Sequence, residues 1–230
     1  MNEVIYTIPV NEAFDAGDGK CPFCTLYEKL QSNELDLILG ASMMEPDIRI
    51  KTNEKGFCPR HYGMMFARNN KLQLALMLES HLDEIISSVK PGGFLTRDAA
   101  QKPVSYLGKL EESCYVCERI EASLGKMFET ACILWAREKE FRDKFDAQTF
   151  FCLEHYKRLL ESARSTLPSK TYSELICSAS KLEGAYLSKL RGDISHFIKK
   201  FDYRYEDEPW GDAKDSVERA MRLMSGKTLG

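Results

Sequence analysis

At 230 residues, with 43% hydrophobic side chains, the chain is long enough to build a core without depending wholly on staples. The net charge is −3, and its distribution is even: nine basic and thirteen acidic residues in 1–90, then 23 and 22 in the rest, which excludes a basic body of the kind that grips nucleic acid. The opening MNEVIYTIPVNEAFDAGDGK has no basic stretch leading into an apolar one, and no run approaches the ~18 uncharged apolar residues of a membrane span. A cytoplasmic protein is therefore expected, and eight cysteines in that compartment point to metal or redox chemistry more than to disulfides.

In chain order, the first predicted helix opens at Cys21-Pro-Phe-Cys24 and runs through CPFCTLYEKLQSNELDLILG. MMEPDIRIKTNEKG follows; Pro46, Gly56 and the alternation of DIRIKT read as a loop with room for a short strand. Cys58-Pro-Arg-His61 opens a second helix, expected to run to Val89 with Leu74, Leu78, Leu82, Ile85 and Val89 as its apolar face. Residues 91–113, with Pro91-Gly92-Gly93 and Pro103, read as a linker. Cys114-Tyr-Val-Cys117 opens a third helix that reaches Phe141, and REKEFRDKFDAQTF can stay helical. Cys152-Leu-Glu-His155 opens a fourth, broken at Pro168. A long helix follows, its stripe of Tyr172, Leu175, Ile176, Ala179, Leu182, Tyr186, Leu190, Ile194, Phe197 and Phe201 serving as helix–helix core. The aromatic run Phe201, Tyr203, Tyr205 and Trp210 is read as packing the tail onto the body. Asp212 is expected to cap a last helix, Ala213 to Met224, that Gly226 ends.

Six cysteines and two histidines make one pattern written twice. Cys21-x2-Cys24 is followed after 33 residues by Cys58-x2-His61; Cys114-x2-Cys117 is followed after 34 by Cys152-x2-His155. A self-match at nearly fixed spacing marks an internal duplication. Three thiolates and one imidazole complete a tetrahedral shell for Zn2+. The x2 gap places two ligands on one face of a first helical turn. Pro22 and Pro59 suit the first helical position, which makes Cys21 and Cys58 N-caps. The expected tetrads are Cys21, Cys24, Cys58 and His61, then Cys114, Cys117, Cys152 and His155, although spacing alone does not forbid exchange of ligands between the units. Two Zn2+ are the expected cofactors, with iron–sulfur clusters as the alternative. Cys132 and Cys177 read as core cysteines; His81 and His196 read as surface or packing histidines, with His81 the reserve ligand.

The predicted fold is all-α: two tandem helical pseudo-repeats, each with a Cys3His zinc site, plus C-terminal helices. The expected divisions are a first unit at 1–90, the linker 91–113, a second unit at 114–202 and a tail at 203–230. The paired CxxC and FCxxHY motifs, EPDIRIKTNEKGFC and FDYRYEDEPWGDAKDSVERA together resemble a family of bacterial proteins of unknown function, common in clostridia-like anaerobes. That resemblance implies a bacterial, cytoplasmic protein and no particular activity.

No phosphate-binding loop, dinucleotide fingerprint, H-E-x-x-H or G-x-S-x-G is present, so no catalytic residue is named and an enzyme is disfavoured. The function expected is a zinc-stabilised scaffold that binds another protein. The alternatives are an iron–sulfur or dithiol redox protein and, less favoured by the charge, a nucleic-acid-binding zinc protein. The sequence does not specify an oligomeric state.

Overall fold

The computed structural model describes residues 6–17, 19–90 and 100–226. The Pro91-Gly92-Gly93 part of the expected linker lies outside the described residues, as do the first five residues. Within them the fold is all-α, with eleven α-helices and no strand. The chain divides into two compact units that cut across the sequence repeats: residues 1–28 with 124–230, and residues 29–123.

The first unit contains α1 (Thr7–Asp15), the start of α2 (Pro22–Ile38), the end of α7 (Tyr115–Arg137), α8 (Lys139–Asp146), α9 (Leu153–Thr166), α10 (Ser169–Lys199) and α11 (Ser216–Ser225). Its core is a cluster of phenylalanines. Phe23 stacks on Phe128 at 3.9 Å between ring centroids; Phe14 meets Phe141 at 4.8 Å and Phe23 edge-on at 5.6 Å; Phe145 meets Phe151 at 5.1 Å. Rings packed this closely add directional attraction to the burial of a large apolar area. α1 carries no strong sequence pattern and is held from outside. It buries Val10, Ala13 and Phe14, while Lys144 Nζ donates to Asn11 and Asp15 and Gln148 Nε2 donates to the Phe14 carbonyl at 2.8 Å.

The expected helix from Cys114 to Phe141 breaks at Glu138, which is extended. Arg142 explains the break: its Nε donates to the Trp135 carbonyl at 2.7 Å and its Nη2 to the Ala136 carbonyl at 3.0 Å, so carbonyls left open at the end of α7 are satisfied. Pro168 does end α9, and the N-cap of α10 is Pro168 itself. The buried stripe of α10 is Leu175, Ala179, Glu183, Tyr186 and Leu190. Its expected continuation is half-buried at Ile194 and Phe197 and fails at Phe201, which is 76% exposed; in the aromatic run Tyr203 is 85% exposed. Trp210 packs against Phe197 at 5.6 Å, so only part of the aromatic run seals the tail. α11 begins three residues later than expected, after Asp215, and Gly226 ends it in the left-handed region at φ 62°.

The second unit contains the rest of α2, then α3 (Pro46–Lys55), α4 (Pro59–Ala67), α5 (Lys71–Ser88), α6 (Gln101–Glu112) and the start of α7. Two expectations are corrected here. The loop or strand expected at 44–56 is α3, with Pro46 at its start, Asp47 in the first turn, Lys55 in the last and Gly56 as C-cap. Most of the expected linker is α6. The second predicted helix is also split, because Arg68 turns outward to Asp36 at 2.9 Å and Asn70 Nδ2 donates to the Leu39 carbonyl at 3.1 Å. The buried face of α5 is Leu74, Met77 and His81 rather than the predicted Leu78–Leu82 line. α3 lies against it: Arg49 donates to the Leu76 carbonyl, Ser80 Oγ to Asn53 Oδ1, and His81 Nδ1 to the Asn53 carbonyl at 2.9 Å.

Gly56 joins these parts. Its φ of 56° and ψ of −157° define a conformation that only glycine takes without strain. Its carbonyl accepts from Tyr115 N–H at 3.0 Å, while Ser113 Oγ donates to the Lys55 carbonyl at 2.7 Å. A Cβ on Gly56 would lie 2.9 Å from Leu110 Cδ1 and 3.1 Å from His81 Nε2. Gly56→Ala is expected to destabilise the protein by about 1–3 kcal/mol. Urea unfolding would show this as a lower midpoint at unchanged slope, and an unaltered midpoint would refute it.

Candidate metal centres

All four Cys/His pairs sit at helix starts. Cys58 and Cys152 are the N-caps of α4 and α9, and Cys21 and Cys114 immediately precede α2 and α7. Each first cysteine's carbonyl accepts the opening helical bond: Cys21 from Thr25 at 3.2 Å, Cys58 from Tyr62 at 3.0 Å, Cys114 from Glu118 at 3.1 Å and Cys152 from Tyr156 at 2.8 Å. The second member of each pair, three residues on, then lies on the same side of the first turn. The sequence-based placement of these caps matches the structure.

The pairing of the pairs does not. Cys21 and Cys24 meet Cys152 and His155; Cys58 and His61 meet Cys114 and Cys117. In each group the four ligand atoms lie within 4.8 Å of one another. The expected tetrads, Cys21/Cys24/Cys58/His61 and Cys114/Cys117/Cys152/His155, are therefore corrected: the repeats exchange their CxxH halves. The exchange follows the path of the chain. α2 starts in the first unit and ends in the second, which contains Cys58 and His61; α7 starts in the second unit and ends in the first, which contains Cys152 and His155.

In the first-unit tetrad, His155 Nδ1 stands 3.6, 3.4 and 3.2 Å from the sulfurs of Cys21, Cys24 and Cys152, and Cys24 and Cys152 are 3.7 Å apart. In the second, His61 Nδ1 stands 3.2, 3.3 and 3.5 Å from Cys58, Cys114 and Cys117, with Cys58 and Cys117 3.9 Å apart. A tetrahedral ion with bonds of ~2.3 Å to sulfur and ~2.0–2.1 Å to nitrogen requires edges of about 3.8 Å between sulfurs and about 3.5 Å between sulfur and nitrogen. Both groups have those dimensions and could each hold one metal ion.

Three sulfurs this close cannot all ionise unaided. Burial, reinforced by the neighbouring sulfurs, pushes Cys21 and Cys117 up to about 12, and the hydrogen bonds and burial around Cys24 raise it too. Cys152 is lowered by its hydrogen bonds with Cys21 and Cys24. Cys58 is lowered as well: burial opposes the shift, but the backbone N–H groups of His61 and Arg60 at the start of α4 point at its sulfur. A divalent cation removes the conflict by neutralising the crowded charge.

The surroundings of the two groups differ. His155 lies beside the stacked pair Phe23 and Phe128, its ring centroid 6.1 and 5.9 Å from theirs, and Phe151 N–H donates to the buried carboxylate of Glu183 at 3.0 Å. Glu183 is raised above the usual carboxylate range by its burial. The backbone at Gly226 lies over the sulfurs: Cys24 Sγ is 3.5 Å from its carbonyl oxygen, and a Cβ there would stand 3.3 Å from Cys152 Sγ. His61 instead meets the Gln31 amide at 2.8 Å. The sequence reading named neither Gln31 nor Glu183, and it named Gly226 only as the end of the last helix. Glu183 left a signal, as a charge inside the apolar stripe of α10.

The chain belongs to DUF6062, a family of unknown function. The match spans residues 1–229 and so takes in both tetrads and the tail. The chain matches no curated protein and no solved structure. In this DUF6062 chain no helix among the described residues is long and apolar enough to cross a membrane.

The remaining sequence candidates fall outside the tetrads. Cys132 is buried and pushed up to about 12 by that burial, so it is an inert core thiol. Cys177 is exposed on α10, not in the core. His81 packs under α3, and His196 Nε2–H donates to the Pro209 carbonyl at 2.9 Å.

Two predictions follow from these distances. Cys24→Ala combined with Cys152→Ala damages one tetrad, whereas Cys24→Ala with Cys58→Ala damages both. Metal content per chain should therefore fall by one ion in the first double variant and by two in the second; the reverse result would restore the tandem pairing. The second prediction concerns acid. Burial, assisted by the Arg60 guanidinium, lowers His61 from 6.5 to about 4. Between those values the unfolded chain binds a proton that the folded chain refuses, so this contribution to stability is complete above pH 6.5 and is lost as pH falls toward about 4. Urea midpoints measured across that window should decline with pH, and a flat profile would count against a neutral His61.

Proposed function

We propose that the protein is a zinc-stapled helical scaffold: two Zn2+ ions, each in a Cys3His shell, fix pairs of helix starts so that the surrounding surface can bind another protein. The observation that carries this reading is the size of the two tetrads. Their edges suit one four-coordinate ion with zinc's bond lengths to sulfur and nitrogen. An iron–sulfur cluster spreads its protein ligands over more than one iron, which such compact groups do not favour. A dithiol couple needs two cysteines, not three thiols converging on one imidazole.

Four protein ligands leave no open position for substrate, which is the pattern of structural rather than catalytic zinc. The cavity beside Cys24, lined also by Lys20, Glu28 and Arg222, is about 60 Å³. Small-molecule pockets run to roughly 300–1,000 Å³. Eight free thiols fit a reducing compartment, in keeping with the cytoplasm. A net charge of −3 gives little support to a nucleic-acid partner.

The test is elemental analysis of protein purified without oxygen, followed by melting with and without a strong chelator. Two zinc ions per chain and a large loss of helical stability on chelation are expected, since structural zinc contributes roughly 10–16 kcal/mol of binding free energy in small modules. Iron with visible cluster absorbance, or melting indifferent to confirmed metal removal, would overturn the reading.

A further inference from the structure

His61 enters its tetrad through Nδ1, the atom that stands 3.2 to 3.5 Å from three sulfurs. A neutral imidazole that gives this lone pair to an ion carries its proton on Nε2. His61 is wholly buried, and a buried N–H requires an acceptor. The group facing Nε2 at 2.8 Å is the side-chain amide of Gln31, itself only 3% exposed on α2. The amide nitrogen faces the ring, and its oxygen accepts from Arg60 Nη2 at 3.3 Å. With Nε2 protonated that orientation would set donor against donor. A half-turn of the amide exchanges oxygen for nitrogen in almost the same space.

Resting on the metal-centre reading above, we propose that Gln31 is the positioning residue of the second-unit site. Its amide oxygen accepts the His61 Nε2 proton, selects the tautomer that can ligate, and holds the ring at the angle the ion requires. The ion and Arg60 then compete for one oxygen: loading the site turns the amide away from Arg60. At the first-unit site the His155 ring instead has the aromatic rings of Phe23 and Phe128 beside it, with centroids 6.1 and 5.9 Å away. Duplicated ligands are thus supported by two different devices, and a single side chain tunes one ion without touching the other.

The experiment uses the full chain loaded with zinc, competed against a graded series of chelators, in wild type, Gln31→Leu and Gln31→Glu. Nitrogen NMR of the histidines reports the tautomer. Gln31→Leu should weaken one of the two ions by about 10–100-fold and leave the other unchanged. Gln31→Glu, which keeps an acceptor, should restore it. In loaded wild type His61 should show a slowly exchanging proton on Nε2. That wild-type signal keeps the inference testable even where the leucine variant folds poorly. Equal affinities in all three proteins, or a loaded His61 whose Nε2 proton exchanges freely, would overturn the role of Gln31 alone. Wild type that binds no zinc would overturn the metal reading itself.

Discussion

Everything in this molecule turns on crowding three sulfurs and an imidazole nitrogen into a space the size of one ion, twice. Left to themselves these groups repel or hold their protons. Placed at the starts of helices, they meet backbone N–H groups and the positive end of the helix dipole, which eases the formation of thiolate. The helix start also aims two ligand atoms from a single turn at a common point.

Because each tetrad draws its pairs from far apart in the chain, each acts as a long-range tether. In the first unit the joined residues are 128 to 134 positions apart, and in the second 53 to 59. The entropy of closing a loop grows only logarithmically with its length, so the longer tether costs less than about 1 kcal/mol more than the shorter. The second unit is one continuous stretch, lying between the two segments of the first. The duplicated halves have also diverged around their ligands. Phe151 enters the phenylalanine core, while its counterpart Phe57 rests edge-on against Tyr62 at 5.5 Å. Tyr156, the counterpart of Tyr62, pairs its hydroxyl with Ser180.

Elements were legible where local chemistry agreed with tertiary need. The four helix starts were written by Cys, Pro and the x2 gap, and α10 by its length and periodicity. α3 was misread although it carries Pro46, Asp47, Lys55 and Gly56 in helical order, because the apolar Ile48 and Ile50 fell two apart and suggested a strand. They settle into a helix because α5 offers carbonyl and hydroxyl partners to Arg49 and Asn53. α1 is short and is held by Lys144 and Gln148 from more than 120 residues away, a support no local window contains. α6 grows from a segment whose prolines announced a linker; Pro103 stands in its first turn, where a missing N–H costs nothing.

The sequence by itself determined which eight side chains converge, their helix-cap setting and the all-helical class, because ligand spacing and capping are properties of a few adjacent residues. Only the tertiary structure decided which pair meets which. Both pairings satisfy the same residue types and the same gaps, and the choice between them lies in where two long rigid helices, α2 and α7, carry the chain before its next turn. The same holds for Gln31 beside His61 and Gly226 over Cys152, whose neighbours are set by packing between segments that never meet along the chain.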